Sequence, residues 1–315
     1  MKRIIFVLLA FLFVSCERIP QTAQGLYQKG IEAAKKEDYG KAIDYLEKAL
    51  EKELSAKEKE IALITLANAY FNEKDFENAA LKYEEFLTLY PASPFAKDAL
   101  FRLGVSYLNL IKGPEWDQTF TKKAIDSFDV FIMRFPDDKR VEKAKLYKKM
   151  ARKVLAEHEI YIAGTYDMLR KFTASIDRYE KVKEEFSDIE PADRLNYLLG
   201  RAYFFTKLEA EEEIEKLTEK LETERERLKS KDEEERKVAL NRIKLINKDI
   251  KKWQEISQKN FLKGKRILEE VAKNYPQSPY GKKAKLILKG EKILDVEPVE
   301  NPIKHSIWWK IKNTL

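Results

Sequence analysis

The stretch LANAYFNEKDFENAALKYEEFLTLYP, residues 66–91, decides how this chain folds. Ala67 and Ala79 stand twelve positions apart, and Tyr70, Phe76, Tyr83 and Phe86 surround them at helical spacing before Pro91 ends the segment. Two helices that cross closely need a small residue on each side of the crossing. The stretch therefore reads as an antiparallel helix pair.

The same pattern recurs on both sides, and self-similarity at a fixed period is the mark of a repeat architecture. Gly30 and Ala42 are again twelve apart, with Tyr39 at the turn and Leu46 and Ala49 on the inner face. The third pair has Gly104 and Tyr107, but its second small residue, Ala124, comes twenty positions later, followed by Phe128, Phe131 and Pro136. The fourth runs through Ala163, Tyr166, Phe172, Ser175, Tyr179 and Val182. The fifth opens at Gly200 and Tyr203 and resumes only at Gly264, Leu268, Val271 and Pro276, so about 52 residues are inserted between its helices. These pairs resemble tetratricopeptide repeats. The expected fold is all-α: a superhelix of about five pairs, with a concave surface lined by first helices.

Residues 208–256 contain no Gly or Pro, and Ile214, Leu217, Leu221, Leu228, Ala239, Ile243, Ile246, Ile250 and Trp253 follow steps of three and four. An insertion between antiparallel helices must go out and return, which predicts a coiled-coil hairpin reversing near Lys229 to Asp232. Residues 208–235 carry thirteen acidic and six basic side chains; 236–256 carry seven basic and two acidic. Opposite arms of −7 and +5 favour pairing with each other. The hairpin is either a solvated helix pair or an arm that docks another subunit.

The N-terminus adds a location. Lys2 and Arg3 precede an apolar run from Ile4 to Val14, then Ser15 and Cys16, the single cysteine of the 315 residues. A basic start, a short apolar segment and a small residue before the cut describe a signal peptide, 1–15. Phe13-Val14-Ser15-Cys16 resembles a bacterial lipobox with Phe in place of the usual Leu, which implies N-acyl diacylglyceryl modification of Cys16 and insertion into the lipid bilayer; the other reading is an ordinary cleaved signal with an incidental thiol. Glu17, where an Asp would favour inner-membrane retention, points to the outer membrane. A lipidated linker, 16–24, would then lead into repeats 1–3 at 25–140, repeats 4–5 at 141–295, and a tail, 296–315. Without Lys2 and Arg3 the chain holds 59 basic and 54 acidic residues, a net charge of +5. That is too mild to argue for nucleic acid, though it suits an anionic membrane. No disulfide is available within one chain.

Two stretches carry a more specific resemblance: Asp117-Gln118-Thr119 with Ala124, Phe128 and Phe135-Pro136, and Leu155-Ala156-Glu157-His158-Glu159 through Tyr161, Tyr166 and Ala174 to Arg178-Tyr179. With the lipobox, the short linker and five repeats, they resemble the BamD family of outer-membrane assembly lipoproteins over about residues 16–205 and 259–290. The resemblance implies a lipid-anchored scaffold on the periplasmic face, contacting the barrel subunit BamA through its C-terminal repeats. Its N-terminal repeats would receive the C-terminal segments of unfolded outer-membrane proteins. The hairpin and the tail lie outside that pattern.

Aligning the repeats puts Tyr27, Ile31, Asn68, Phe71, Asn72, Phe101, Arg102, Leu108 and Asn109 on the groove-facing side of the first helices. Aromatic and apolar groups would hold side chains, Asn would hydrogen-bond a peptide backbone, and Arg102 would clamp a terminal carboxylate, although Asp98 sits one turn before it. In the tail, Trp308 and Trp309 among lysines fit a membrane interface, a partner pocket or a cap on the last helix.

Catalysis is not expected. His158 and His305 lie far apart and outside any metal-ligand spacing, and no phosphate loop or nucleophile elbow occurs. No cofactor is expected beyond the lipid. The competing readings are a repeat lipoprotein serving pilus-secretin assembly and a cell-division coordinator; a superhelical transglycosylase would need a catalytic domain for which no residues remain.

Overall fold

The computed structural model describes residues 21–294. Cys16 and the signal peptide, all but the last residues of the linker, and the 296–315 tail lie outside the described residues. Eleven helices run through the described residues, joined by short turns and one eight-residue loop. The chain divides into two compact units, 1–109 and 110–315. The division falls at the end of the third repeat's first helix, whereas the sequence grouping placed a boundary after residue 140.

The first unit contains α1 (Ala23–Lys35), α2 (Tyr39–Leu50), α3 (Ala56–Asn72), α4 (Phe76–Leu89) and α5 (Ala96–Leu110). Helix α1 starts two residues before the expected end of the linker, because the Thr22 hydroxyl accepts from the Gly25 N–H. Ser55 and Glu58 form a reciprocal capping box on α3. The two-helix turns at 36–38 and 73–75 share one geometry. Glu37 and Lys74 take φ of 60° and 64°, and the N–H groups of Asp38 and Asp75 reach back five residues to the carbonyls of Ala33 and Tyr70. This 6→1 bond is the Schellman ending of a helix. Asp38 and Asp75 then cap the next helix. The turn at 169–171, with Arg170 at φ 54°, repeats the arrangement in the other unit.

Small residues are needed where the sequence places them. A Cβ on Gly30 would come 2.6 Å from Cγ of Leu46, and Ala42, Ala67 and Ala79 are completely buried.

The second unit holds α6 (Thr119–Arg134), α7 (Val141–Met168), α8 (Phe172–Phe186), α9 (Ala192–Arg227), α10 (Glu233–Asn274) and α11 (Pro279–Leu288). Helices α7 to α11 bury one apolar cluster that includes Ala163, Phe172, Tyr179, Leu198, Tyr203, Leu268 and Ile287. Helices α4, α6 and α10 end alike, each with an aromatic C-cap before proline: Tyr90, Phe135 and Tyr275. Proline bars the preceding residue from helical geometry.

The fifth repeat and the hairpin are the same two helices. Gly200 on α9 meets Gly264 on α10: a Cβ on Gly264 would lie 2.7 Å from the Gly200 carbonyl oxygen and would overlap the Phe204 backbone. Beyond this crossing both helices continue without a break, reversing over 228–232 as the spacing predicts. Every apolar position assigned to the seam is buried or half-buried, with Leu221 and Ala239 at its centre.

Charge plays a smaller part in the pairing than expected. Glu224–Arg242 at 3.2 Å is the ion pair that bridges the arms among the described residues, and the other acidic-arm pairs are local, such as Arg225–Glu222 and Lys229–Glu226. The root of the acidic arm is instead tied to the fourth repeat's turn: Arg170 binds Glu212, Lys171 binds Glu213, and the Thr173 N–H donates to Glu209.

Candidate peptide-binding face

Helix periodicity divides the predicted groove residues into two sets. Phe101 and Leu108 are seven apart and share a direction, as do Arg102 and Asn109, one residue further round. The structure turns the first direction inward: Phe101 is 8% exposed and Leu108 1%. Leu108 is therefore a core residue and offers no side chain to a groove. Arg102 and Asn109 are half-exposed, but the Asn109 amide donates to the Val105 carbonyl of its own helix at 2.8 Å. On α3, Phe71 is nearly buried against Phe76 and Tyr83 in edge-to-face contacts, Asn68 is half-exposed and Asn72 is exposed. On α1, Tyr27 and Ile31, one turn apart, are half-exposed.

Three of these side chains, Asn68, Phe71 and Arg102, surround a residue whose polar role the sequence did not reveal. Tyr83 is fully buried, and its hydroxyl donates to Asn68 Oδ1 at 2.7 Å. Arg102 lies over the Phe71 ring, 5.0 Å from its centroid, with its charge acting on the Tyr83 hydroxyl. Burial pushes the Tyr83 phenol up, and the nearby Arg102 only partly offsets this, so Tyr83 stays a protonated donor. With Oδ1 occupied, Asn68 keeps its amide N–H groups for another acceptor. Nη1 of Arg102 is buried without a hydrogen-bond partner. A guanidinium stacked on an aromatic ring and oriented by its neighbours is suited to a carboxylate.

The two signature stretches serve the interior of the second unit. Glu157 is buried and takes both ends of the Arg194 guanidinium, at 2.5 and 3.0 Å; Glu190 joins at 3.1 Å. Burial, followed by the Glu157 charge, pushes the Glu190 carboxyl up. Burial would also raise Glu159, but Lys181 and Arg178 outweigh it and hold its carboxyl below the usual range. His158 Nδ1 donates to the Pro114 carbonyl at 2.5 Å, which ties α7 to the loop before α6. Gln118 braces the loop of the third repeat's eight-residue addition, donating to the Gly113 and Trp116 carbonyls while Thr121 donates to it. A further buried pair, Arg201–Asp167 at 2.5 Å, is shared with Tyr179, which donates to the same Asp167 oxygen at 2.9 Å.

No group of His, Cys, Asp and Glu side chains among the described residues could hold a metal ion, and no helix among them is long and apolar enough to cross a membrane.

Comparison with known proteins agrees with the sequence reading. The family model described as YfiO, outer membrane lipoprotein, matches residues 20–218 and so ends within the acidic arm. An Aquifex aeolicus (strain VF5) relative described as "Putative outer membrane protein assembly factor BamD" is 31% identical over 271 residues, 85% of this chain and 88% of its own. BamD of Buchnera aphidicola is 24% identical over 58% of this chain and 79% of its own, and BamD of Rickettsia prowazekii 26% over 59% and 74%. Among solved structures, the P58(IPK) TPR domain aligns with 86% of this chain and 67% of its own at a TM-score of 0.36 and 15% identity, too loose a likeness to add to the helix geometry.

Proposed function

The chain belongs to the YfiO family of outer membrane lipoproteins, and on that premise we propose how it serves outer-membrane protein assembly. It acts as a non-catalytic scaffold on the periplasmic face, held to the bilayer by acylated Cys16. The second unit contacts a barrel subunit of the assembly machinery. The first unit receives the C-terminal segments of unfolded outer-membrane proteins in extended form. Two features support this arrangement: relatives named as assembly factors, and buried ion pairs that would keep the second unit a fixed shape for a protein partner.

The observation that carries the peptide reading is Arg102, half-exposed and stacked on Phe71 beside the Tyr83 hydroxyl. A terminal carboxylate meeting the exposed side of this guanidinium would gain a charge-assisted contact. Titrating the protein with a fluorescent peptide ending in an aromatic residue tests the site. Arg102→Ala weakens binding by about tenfold or more, as does amidation of the peptide's C-terminus, and the two losses do not add because they remove the same contact. Equal affinity for the free-acid and amidated peptides removes the carboxylate role.

A further inference from the structure

The two arms of the hairpin handle their cations differently. Along the acidic arm, Lys216, Arg225, Arg227 and Lys229 each hold a glutamate three residues away, at 2.6 to 3.1 Å. Along α10, Lys237, Lys244, Lys248, Lys252, Lys259 and Arg266 are all exposed, and none has a carboxylate partner among the described residues. At 3.6 residues per turn these six fall within a narrow sector of the helix, opposite the seam of Ala239, Ile243, Ile246 and Ile250. The stripe advances about 43 Å from Lys237 to Arg266. Glu255 is the acidic residue on this face, drawn to Lys251 at 4.0 Å. Leu240 and Leu262 along one edge, and Val238 and Leu245 along the other, are exposed apolar side chains.

We propose that this lysine stripe lays α10 along an anionic phospholipid surface. Charge complementarity favours an anionic partner, since the chain leaves the stripe uncompensated. Five of the six cations are lysine, a compact point charge that lacks the planar fork with which arginine fixes one carboxylate in register. Charge spread along a straight helix matches phosphates that move laterally. The flanking leucines and valine suit the boundary where headgroups meet acyl chains. Membership of an outer membrane lipoprotein family already places the chain beside such a surface. The stripe would give the hairpin its own hold on the membrane, independent of the lipid at Cys16 and of peptide capture.

Vesicle co-sedimentation of the mature chain carrying Cys16→Ser, which removes the acyl anchor, tests the proposal. The protein binds phosphatidylethanolamine–phosphatidylglycerol vesicles but not phosphatidylcholine vesicles, and the binding weakens as salt shortens the Debye length. Lys244→Gln/Lys248→Gln/Lys252→Gln lowers the partition coefficient about a hundredfold. Its thermal melt stays unchanged because all three side chains are exposed, whereas Lys41→Gln/Lys57→Gln/Lys82→Gln in the first unit changes little. Absence of binding to the anionic vesicles, equal binding to both lipids, or binding that survives the hairpin triple overturns it. So does a triple that releases an acidic protein subunit from the native assembly while vesicle binding persists. Peptide titration at Arg102 reads the scaffold function separately, so failure of one reading is distinguishable from failure of the other.

Discussion

The first unit is held together by shape and by tyrosine hydroxyls that bond across helices, and the second by shape and buried charge. Among the described residues, Ser106 is the buried polar side chain of the first unit. The second buries Glu157, Glu159, Asp167, Glu190, Arg194, Arg201, Glu209 and Glu224. Both units use the same helix pairs, so burying ions is no requirement of the repeat. Such pairs give little net stability over apolar packing, but they penalise every arrangement that separates them. In the first unit, alanines and tyrosines fix how closely helices approach; in the second, ion pairs between α7, α8 and α9 also fix their register.

The largest expected effect breaks the second mode outright. Arg201→Met leaves Asp167 buried and uncompensated, and costs about 3–5 kcal/mol in chemical denaturation. Adding Asp167→Leu restores most of that loss, because an apolar pair replaces an ionic one. A double variant as unstable as the single would show that the charge contributes more than register.

Acid should separate the units by a smaller margin. Lys181 and Arg178 hold the Glu159 carboxyl below its unfolded value, so its contribution is present above the unfolded value and disappears as pH falls through the lower, folded one. Glu159→Gln therefore destabilises the second unit by about 2 kcal/mol at neutral pH and by less near pH 3. Calorimetry across that range sees the acidic limb of the second unit flatten, while the first unit, where Lys36–Glu32, Lys41–Asp38 and Lys82–Glu85 are exposed pairs between near neighbours in sequence, keeps its own profile.

The smallest effect belongs to a turn. Lys74 holds a left-handed conformation that glycine adopts without strain, so Lys74→Gly raises stability, by no more than about 1 kcal/mol once the added freedom of the unfolded chain is counted. A loss of stability would mean that the Lys74 side chain contributes more than its backbone strain costs.

Much of the fold was legible because close approach restricts residue type. Gly200 and Gly264, 64 residues apart, are identified as partners by the pattern of the other repeats, and they meet in the structure. The hairpin seam was legible for the same periodic reason. The groove was read less well: the alignment placed Phe101 and Leu108 beside Arg102, yet one residue's rotation, 100° on the helix, separates core from surface. The ion pairs were invisible because 37% of the residues are charged and sequence does not mark which of them are buried. Glu157 and Glu159 stood out only through the family resemblance, which could not say where they point. Tyr83 was identified as core, and its hydroxyl's role emerges only from its position beside Asn68.

Helices α9 and α10 pass from the fifth repeat into the hairpin without a hinge. The arm is thus a lever rooted where Glu209, Glu212 and Glu213 are held by the fourth repeat's turn, beyond the Gly200–Gly264 crossing. From Glu213 to the end of α9 is about 21 Å, so a tilt of a few degrees at the root becomes a displacement of about 1–2 Å at the tip. The reverse also holds: whatever grips the arm exerts torque directly on the core around Leu268 and Tyr203. The insertion could therefore carry mechanical information into the repeats without any change of fold.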